Sequence, residues 1–369
     1  MKEFTIAVLP GDGIGPEVTA EALRVLAAAA DVYGFRMKTE EYAIGAAGVA
    51  EAGKALPERT RDAVLDADAV FLGAVGSPAL AQAAGDQRPE AGLLALRKLL
   101  GVYANLRPVA VHPALRAVSP LRAERLEGVD LLIVRELTGG LYYGEPRGRS
   151  ERSAVNTLSY DVGEIERVAR VAFRLARARR GSVTSVDKAN VLEVSQLWRD
   201  TVSSLAADYP DVRLEHLYVD YAAMRLISDP SSIDVLLTEN LFGDILSDEA
   251  GVLVGSLGML PSASLGEGPG LFEPVHGSAP GLAGKGVANP LGAIASAAML
   301  LRHGLALPEA AQVVEEGIAA ALAGGARTSD IALGGEQILT TREMGEVVAR
   351  RVTEGRQLET VARGGVGGG

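Results

Sequence analysis

The sequence predicts an α/β protein built around a largely parallel central sheet. Short apolar runs rich in β-branched residues alternate along the chain with longer segments in which apolar residues recur at helical spacing. Such alternation is typical of parallel strands joined by helical crossovers. The 369 residues exceed what one simple core needs, so we expect two domains.

The individual elements follow from local sequence signals. Phe4–Leu9 is an apolar, β-rich run, and Pro16–Ala30 is an alanine-rich helix whose initial proline suits a first helical turn. Further strands are predicted at Ala69–Leu72, Leu131–Val134, Ser182–Val186, Leu214–Val219 and Ile233–Leu237. Further helices are predicted at Glu58–Leu65, Leu93–Leu100, Val162–Arg179, Ser195–Ala207, Ala293–His303, Pro308–Ala323 and Thr341–Thr353, with another beginning soon after Leu237. The glycine-rich end from Gly364 is expected to be a disordered tail.

The segment Thr138–Thr157 interrupts this alternation. It is rich in glycine, tyrosine, arginine and serine and has no helical period. We expect either a mobile lid or a projecting β-arm, because tyrosine and small polar residues suit an exposed hairpin that pairs with another subunit. A plain surface loop is less favoured at this length.

The composition excludes several classes of protein. Apolar residues make up 48% and charged residues 22%, as in ordinary globular proteins. A net charge of −11 argues against a nucleic-acid partner and requires local arginines for any anionic substrate. The absence of cysteine excludes disulfides, thiolate chemistry and cysteine-bound metals. No run approaches the ~20 apolar residues of a membrane span and no signal peptide is evident, so we expect a cytoplasmic protein.

Two carboxylates follow the predicted strand Ile233–Leu237. Asp244 and Asp248 stand four residues apart in the helix that begins there, which places both on one helical face. Two acidic oxygens near a strand end suit a hard divalent cation. Acids are also favoured in the first turn of any helix, so the pair alone leaves both interpretations open.

Two glycine-rich loops indicate places where the backbone can approach a ligand closely. Gly11 and Gly13 follow the first strand, but Pro16 stands where an ordinary dinucleotide-binding motif needs glycine, so we reject a Rossmann site there. The segment Glu273–Pro290 combines small residues with serine, histidine and asparagine, which permit approach to a phosphate and supply hydrogen bonds. A structural loop with a capping asparagine is the alternative.

Several ordered motifs together resemble those of the β-decarboxylating dehydrogenases, the isocitrate/isopropylmalate dehydrogenase family. The similarity runs from about residue 4 to about residue 353 and is strongest with members that act on 3-isopropylmalate. The motifs are LPGDGIGPEV (Leu9–Val18), RPEAGLLALRK (Arg88–Lys98), ANLRP (Ala104–Pro108), VRELTGGLYYGEPRG (Val134–Gly148), SVDKANVLE (Ser185–Glu193), TENLFGDILSDEAG (Thr238–Gly251), GSLGMLPSASLG (Gly255–Gly266) and EPVHGSAP (Glu273–Pro280).

The resemblance implies an overall architecture. It is a two-domain α/β fold with mixed, largely parallel sheets that is not a Rossmann fold. The first domain, on the cofactor side, would comprise residues 1–102 and 255–369, and the second residues 103–254, with the active site between them. A homodimer is also implied, in which arms near 138–157 interlock and the active site is shared between subunits.

The same resemblance assigns residues to the substrate. The residues that would bind its two carboxylates are Arg97, Arg107 and Arg135. Leu93, Leu94 and Val191 match the pocket for an isopropyl group, although adjacent leucines in an apolar helix are also typical of core packing. An isocitrate carboxylate in that pocket would lack a polar partner and would cost about 2–7 kcal/mol, which argues against isocitrate.

The chemistry implied by the resemblance needs a divalent cation and an acid–base pair. The Mg²⁺ or Mn²⁺ ligands would be Asp244, Asp248 and, from the other subunit, Asp220, which also borders the substrate. The cation would act as a Lewis acid on the substrate hydroxyl. Lys188 of the other subunit would remove the hydroxyl proton, which needs a lowered lysine pKa, and the adjacent Asp187 would orient it. Tyr142 would supply a proton to the carbon that loses CO₂.

NAD is the cofactor that the resemblance implies. Its expected contacts are Ile14, Ser77, Glu90, His276, Gly277, Ser278, Ala279 and Asn289. One position departs from the family pattern: NAD-using members usually place an aspartate directly after HGSAP, where this chain has Gly281. That aspartate bonds the ribose hydroxyls and repels a 2′-phosphate, so we expect weaker NAD binding and a reduced preference against NADP.

The resemblance therefore implies an NAD-dependent enzyme of leucine biosynthesis. It would oxidatively decarboxylate (2R,3S)-3-isopropylmalate to 2-oxoisocaproate and CO₂. The nearest alternative is a sister enzyme acting on homoisocitrate, tartrate or another 3-substituted malate. A catalytically weak relative that serves as a binding or regulatory protein is a second alternative, against which the intact set of catalytic, metal and arginine residues speaks.

Overall fold

The computed structural model describes residues 2–83 and 85–364, with side chains described as far as Gly355. The helices are α1 (Gly15–Tyr33), α2 (Ala46–Ala52), α3 (Glu58–Asp66), α4 (Pro89–Leu100), α5 (Val162–Arg177), α6 (Glu193–Leu205), α7 (Val219–Ser228), α8 (Asn240–Val254), α9 (Leu291–Met299), α10 (Pro308–Ala323) and α11 (Thr341–Gly364). The strands are β1 (Glu3–Gly11), β2 (Arg36–Glu41), β3 (Ala69–Ala74), β4 (Val102–Ala110), β5 (Asp130–Glu136), β6 (Gly148–Arg149), β7 (Ala154–Val155), β8 (Ser182–Asp187), β9 (Arg213–Tyr218), β10 (Val235–Thr238), β11 (Pro261–Gly266) and β12 (Gly270–Pro274).

Ten of these strands form one mixed sheet. Their order is β2-β1-β3-β12-β11-β4-β5-β10-β8-β9. The pairs β12–β11, β11–β4 and β4–β5 are antiparallel, and the other neighbours are parallel. Because there are three successive antiparallel pairings, the strands on the β2 side of the sheet run opposite to those on the β9 side. The predicted α/β class with a mixed, largely parallel sheet is therefore confirmed.

Helices cover both faces of the sheet, which is why its strands are apolar on both sides. In β5, Leu132 and Val134 pack in a core with α1, α5, α6, α9, α10 and α11. Their neighbours Leu131 and Ile133 pack in a second core with α7 and α8. A third core, beneath α3 and α4, includes Leu96 and Leu100. Alternate side chains of a single strand thus hold the sheet between two helical layers.

The segment Thr138–Thr157 contains a β-arm, which is one of the two structures expected for it. Gly148–Arg149 pairs antiparallel with Ala154–Val155 in a separate two-stranded ribbon. These four residues are exposed. The pairing of this arm with another subunit remains a prediction.

Several boundaries differ from the sequence-based expectations. Strands β2, β4, β11 and β12 and helices α2 and α7 were not predicted, and α7 begins within the predicted strand Leu214–Val219. The predicted helix Ala293–His303 is α9 followed by a π-helical turn, Leu300–Gly304. Helix α11 extends to Gly364, and the rest of the expected tail lies outside the described residues.

The predicted domain boundaries fall at the start of β4 and the end of α8. At the second boundary Gly255 ends α8 with a left-handed φ of 86°. The division into domains itself remains a prediction. In the described part of the chain, every helix is too short or too polar to cross a membrane.

Candidate active site

Helix α8 places the two predicted metal carboxylates on one face. Glu239 caps the helix by accepting hydrogen bonds from the backbone N–H groups of Leu241 (3.1 Å) and Phe242 (2.6 Å). One turn further on, Asp244 and Asp248 both face Arg107, whose guanidinium lies 3.7 Å from each carboxylate. The one-sided arrangement expected from their spacing is confirmed.

Arg135 in β5 ties the sheet to α8. Its side chain is 1% exposed, and Nη1 pairs with Asp244 while Nε and Nη2 donate to Asn240 Oδ1 at 3.1 and 2.7 Å. Burial lowers the pKa of Arg135, although the Asp244 charge opposes that effect. Gly243 permits the close approach, because a Cβ there would lie 2.7 Å from Arg135 Cγ.

Arg107 in β4 is held mainly by neutral groups. Nε donates to Asn105 Oδ1 at 2.8 Å and Nη1 to Ser247 Oγ at 2.6 Å. Burial, followed by the positive charge of Arg135, lowers the pKa of Arg107 to about 10. A buried cation next to another cation favours the approach of an anion, so this position suits a substrate carboxylate.

Arg97 extends the cationic cluster from α4. Nη2 donates to Glu273 Oε1 at 2.9 Å, and Nε is buried with no hydrogen-bond partner among the described residues. Burial acts to lower the pKa of Arg97, but Glu273 outweighs it and the pKa is raised. The unused N–H suits a ligand oxygen.

The predicted apolar pocket residues differ in their surroundings. Leu93 is half-buried and packs partly against the core beneath α4, which supports a structural role for part of its side chain. Leu94 is also half-buried, and its carbonyl accepts a 3.4 Å hydrogen bond from Tyr143 Oη at the base of the arm. In α4, Leu93 lies four residues and Leu94 three residues before Arg97, so each is about one helical turn from it.

Tyr142 lies over the same cluster. Its hydroxyl donates to Asp244 Oδ2 at 2.7 Å, and its ring centroid is 5.7 Å from the Arg135 guanidinium carbon. Burial and the bond to Asp244 raise the pKa of Tyr142 to about 12. Burial acts to raise the pKa of Asp244, but Arg135 and Tyr142 lower it overall. Tyr142 is therefore a protonated hydroxyl beside an ionised carboxylate.

Lys188, Asp220 and Val191 form a second group. Lys188 Nζ donates to Asp220 Oδ1 at 2.6 Å, which lowers the pKa of Asp220. Val191 is 66% exposed in the turn that follows Lys188. Among the described residues, no hydrogen bond or ion pair joins Lys188 or Asp220 to Tyr142 or Asp244. The described part of a single chain likewise brings together no three acidic or histidine side chains that could hold a metal.

Asp187 does not contact the Lys188 ammonium through any recorded bond in the described residues. Its carboxylate accepts hydrogen bonds from Arg199 Nε (2.8 Å), Arg199 Nη2 (2.9 Å) and the Ala189 N–H (2.9 Å). Any effect of Asp187 on Lys188 therefore passes through the backbone of the turn.

The two glycine-rich loops meet at the predicted cofactor site. The Ile14 N–H donates to the Ser278 carbonyl at 2.8 Å. Gly13 has φ +60°, and a Cβ there would lie 2.0 Å from that carbonyl, so only glycine fits. The Asp12 carboxylate accepts from the N–H groups of Gly76 (2.9 Å), Ala46 (3.0 Å) and Ala47 (3.1 Å), which fastens three loops together.

The remaining predicted cofactor residues line or flank these loops. His276 Nε2 is buried without a partner among the described residues, and burial lowers the pKa of His276, so the ring is neutral. Exposed Gly277 and buried Ser278 precede Ala279, whose φ of 38° is unusual for a non-glycine residue. Half-buried Ser77 follows Gly76, and Glu90 Oε1 would lie 3.8 Å from a Cβ at Gly76.

Asn289 has a structural function in this loop. Its Oδ1 accepts from the Leu291 N–H at 3.0 Å, and its Nδ2 donates to Asp330 at 3.1 Å. The side chain is 5% exposed. The N-cap of α9 is Pro290 rather than Asn289, so the side chain of Asn289 stabilises the loop just before the helix, and its cofactor contact remains a prediction.

Comparison with known proteins agrees with this geometry. The chain matches the family described as isocitrate/isopropylmalate dehydrogenase over residues 5–348. The chain belongs to this family. The predicted family and its enzyme class are therefore confirmed.

Relatives of high identity span nearly the whole chain. The 3-isopropylmalate dehydrogenase of Salinibacter ruber is 58% identical over 353 residues, which cover 96% of this chain and 96% of the relative. That of Synechocystis is 54% identical and covers 93% of this chain and 96% of the relative.

Solved structures share the fold. The isocitrate dehydrogenase of Methylococcus capsulatus superposes with a TM-score of 0.85 at 34% identity, covering 96% of this chain and 100% of that one. A β-decarboxylating dehydrogenase of Thermococcus kodakarensis gives a TM-score of 0.80 at 36% identity, covering 97% and 98%. The fold belongs to the same family in each case.

Sequence reasoning missed several residues that hold the site together. Asp12 fastens three loops, and Glu17 accepts from the N–H groups of Gly284 (2.5 Å) and Gly286 (3.0 Å) in the second glycine-rich loop. Asn240 accepts hydrogen bonds from Arg135, and Ser247 accepts one from Arg107. Asp12 and Glu17 lie within the motif LPGDGIGPEV, which was the signal available for them.

Proposed function

We propose that this protein oxidatively decarboxylates 3-isopropylmalate to 2-oxoisocaproate and CO₂, with NAD as hydride acceptor and Mg²⁺ or Mn²⁺ as metal, in cytoplasmic leucine biosynthesis. The observation that carries the proposal is the convergence of three buried arginines with Tyr142 and Asp244. Relatives at 58% and 54% identity are named for this substrate.

The arginine cluster suits a dicarboxylate. Arg107 has carboxylates no nearer than 3.7 Å, and Arg97 keeps one buried N–H without a partner in the described residues. Guanidinium groups can bind two carboxylates of one substrate in fixed orientation. Leu93 and Leu94 offer no hydrogen-bonding side chain, so they favour an isopropyl group over the third carboxylate of isocitrate.

The residues present fit the two cofactors. Asp244 and Asp248 offer oxygen ligands on one helical face, and Asp220 of a second subunit would complete the set. The buried, unpartnered Nε2 of His276 suits a cofactor oxygen. When bound, NAD would accept the hydride and the cation would polarise the substrate hydroxyl.

The chain's own groups would move the protons. Lys188 would take the proton from the substrate hydroxyl as a neutral amine, and its Nζ lies 2.6 Å from Oδ1 of the predicted metal ligand Asp220, which places it beside the metal site. Tyr142, whose pKa is raised to about 12 by burial and by Asp244, stays protonated at neutral pH. It would donate its proton to the carbon that CO₂ leaves.

A spectrophotometric assay tests the reaction. Purified protein with Mg²⁺ and NAD is offered 3-isopropylmalate, isocitrate, homoisocitrate and tartrate, and NADH absorbance is followed. The proposal predicts the highest kcat/KM for 3-isopropylmalate. A higher value for another malate would identify a sister enzyme, and no reaction with any of them would favour a binding protein.

We also propose that the protein acts as a homodimer with a shared site. Helices α7 and α8 pack in one layer and expose large apolar side chains, namely Tyr221 (54%), Met224 (66%), Ile245 (59%) and Val252 (40%). A partner chain would cover this face and bring its Lys188 and Asp220 to the cleft. Light scattering should give a dimer for the native chain and a monomer for Met224→Glu. A native monomer that is fully active would contradict the proposal.

The cofactor loop supports NAD with limited discrimination against NADP. A Cβ at Gly281 would meet no atom within 4 Å, so the position is open and carries no carboxylate. Comparison of kcat/KM for NAD and NADP tests this point. Strong discrimination against NADP despite Gly281 would contradict it.

A further inference from the structure

We propose that Arg199 is a positioning residue that holds Lys188 and Asp220 in their common geometry. The inference rests on the proposed function, because those two residues are the ones assigned to the partner's active site. Arg199 lies in α6, and its guanidinium contacts both the residue before Lys188 and the residue that caps the helix of Asp220.

The first contact fixes the turn that carries Lys188. Asp187 ends β8 and is 1% exposed, and both of its oxygens accept hydrogen bonds from Arg199, at 2.8 and 2.9 Å. The oxygen bonded to Arg199 Nη2 also accepts from the Ala189 N–H at 2.9 Å. The Asp187 carboxylate thus links Asp187 to Ala189, the two neighbours of Lys188, and Arg199 holds that carboxylate in place.

The second contact fixes the start of α7. The Arg199 guanidinium lies 4.9 Å from the centroid of the Tyr218 ring. Tyr218 is the last residue of β9 and the N-terminal cap of α7, whose second residue is Asp220. In the sheet, Tyr218 pairs directly with Asp187. Arg199 thus spans the ends of two neighbouring strands, and the Lys188–Asp220 ion pair forms just beyond them.

An arginine is the side chain that meets both demands. Its planar fork donates to two oxygens of a buried carboxylate and stacks on an aromatic ring, whereas a lysine ammonium cannot do both. The neighbouring His216 does not replace it. His216 Nδ1 is 3.9 Å from Asp187, too far for a hydrogen bond, and burial lowers the pKa of His216, so it is neutral at pH 7.

Loss of Arg199 would move the turn rather than remove a reacting group. A buried carboxylate that loses its cation is destabilised and shifts to a position where water can reach it. The Asp187 carboxylate would then move together with the Ala189 N–H that it accepts. Lys188 and Asp220 would keep their chemistry and lose their mutual placement. The three substrate arginines lie in the other group of residues, so most contacts to the substrate are kept and turnover should fall further than substrate affinity.

Arg177 supplies a control that makes the same types of contact in a more exposed pair. Arg177 also binds both oxygens of an aspartate, Asp211, and lies 4.9 Å from the centroid of the Tyr209 ring. It ends α5, before β8 begins. The same type of interaction therefore occurs once beside Lys188 and once at the other end of its strand.

The experiment compares Arg199→Gln, Arg199→Lys and Arg177→Gln in the full-length dimer, with 3-isopropylmalate, NAD and Mg²⁺. For Arg199→Gln we expect kcat to fall roughly 10- to 100-fold, as for a displaced catalytic group, while KM for 3-isopropylmalate changes less than about threefold. Arg199→Lys should recover part of kcat, and Arg177→Gln should keep it. Thermal unfolding of all three measures the purely structural effect.

The outcomes separate this inference from the proposed function. Equal kcat in Arg199→Gln and Arg177→Gln would overturn the positioning role. If the native chain reduces NAD with none of the malates, the proposed function fails. The positioning role of Arg199 is then tested separately by a crystal structure of Arg199→Gln. Lys188 and Asp220 separated beyond hydrogen-bond distance would support it, and retention of the 2.6 Å contact would refute it.

Discussion

Replacement of Asp12 by asparagine should loosen the loops that border the cofactor site. The Asp12 carboxylate accepts N–H groups from Gly76 and Ala46 at Oδ2 and from Ala47 at Oδ1. The best orientation of asparagine keeps its oxygen at the Oδ2 position and retains two bonds. Its amide then faces the Ala47 N–H, so two donors oppose each other.

The size of the effect follows from these three bonds. Loss of one bond to a charged acceptor corresponds to about 1.5–3 kcal/mol, and each retained bond weakens by about 1 kcal/mol when the acceptor becomes neutral. Asp12 is 8% exposed, so water replaces little of this. We therefore expect the free energy of unfolding to fall by about 3.5–5 kcal/mol.

The same change should weaken cofactor binding. Gly13 follows Asp12, and Gly76 is bonded to the Asp12 carboxylate. If the loops that carry these two glycines move apart, KM for NAD should rise by about tenfold, or about 1.4 kcal/mol. Urea unfolding and NADH absorbance measure the two effects. The matched control is Asp68→Asn, because Asp68 is exposed and accepts one N–H, from Thr5 at 2.7 Å. An Asp12→Asn protein as stable as Asp68→Asn, with unchanged KM for NAD, would refute this reasoning.

Three further predictions concern the metal, the cofactor and pH. Asp248→Asn should lower kcat by about 100-fold or more through lost metal affinity, yet shift the urea midpoint little, because this carboxylate is 62% exposed; normal Mg²⁺-dependent turnover would contradict a metal role. Gly281→Asp should raise the ratio of kcat/KM for NAD over NADP by about tenfold, and an unchanged ratio would show that the position does not contact the ribose. Burial lowers the pKa of His303 from 6.5 to about 4, so between these values the unfolded chain binds a proton that the folded chain does not, and stability falls as pH falls. His303→Gln should therefore reduce the loss of unfolding free energy between pH 6.5 and 4 by up to about 3 kcal/mol in urea titrations, and an identical pH profile would exclude this cause.

Much of the fold was predictable because its signals are local. The helix of Asp244 and Asp248 follows an apolar strand, and the four-residue spacing alone placed both carboxylates on one face. Strand β2, Arg36–Glu41, escaped prediction because it is a polar edge strand with mostly exposed side chains. Strand β11, Pro261–Gly266, is rich in small residues and begins with proline, so it lacks the usual β-forming composition.

The supporting residues of the site were harder to predict because their partners are distant in sequence. Asp12 meets Ala46 and Gly76, 34 and 64 residues away, and only the fold shows that its carboxylate is buried between them. Arg199 stands in an amphipathic helix, where a charged residue normally indicates a solvated face. Its importance depends on the pairing of β8 with β9, which brings Asp187 beside Tyr218.

The most direct test concerns the claim that one catalytic centre is assembled from two chains. Tyr142→Phe and Lys188→Ala are purified separately and then unfolded, mixed in equal amounts and refolded, and NADH formation from 3-isopropylmalate is measured. Each variant alone should be nearly inactive. In the mixture, half of the dimers are mixed and each has one intact site of two, so about one quarter of native activity should return. A mixture as inactive as its components would contradict the shared site.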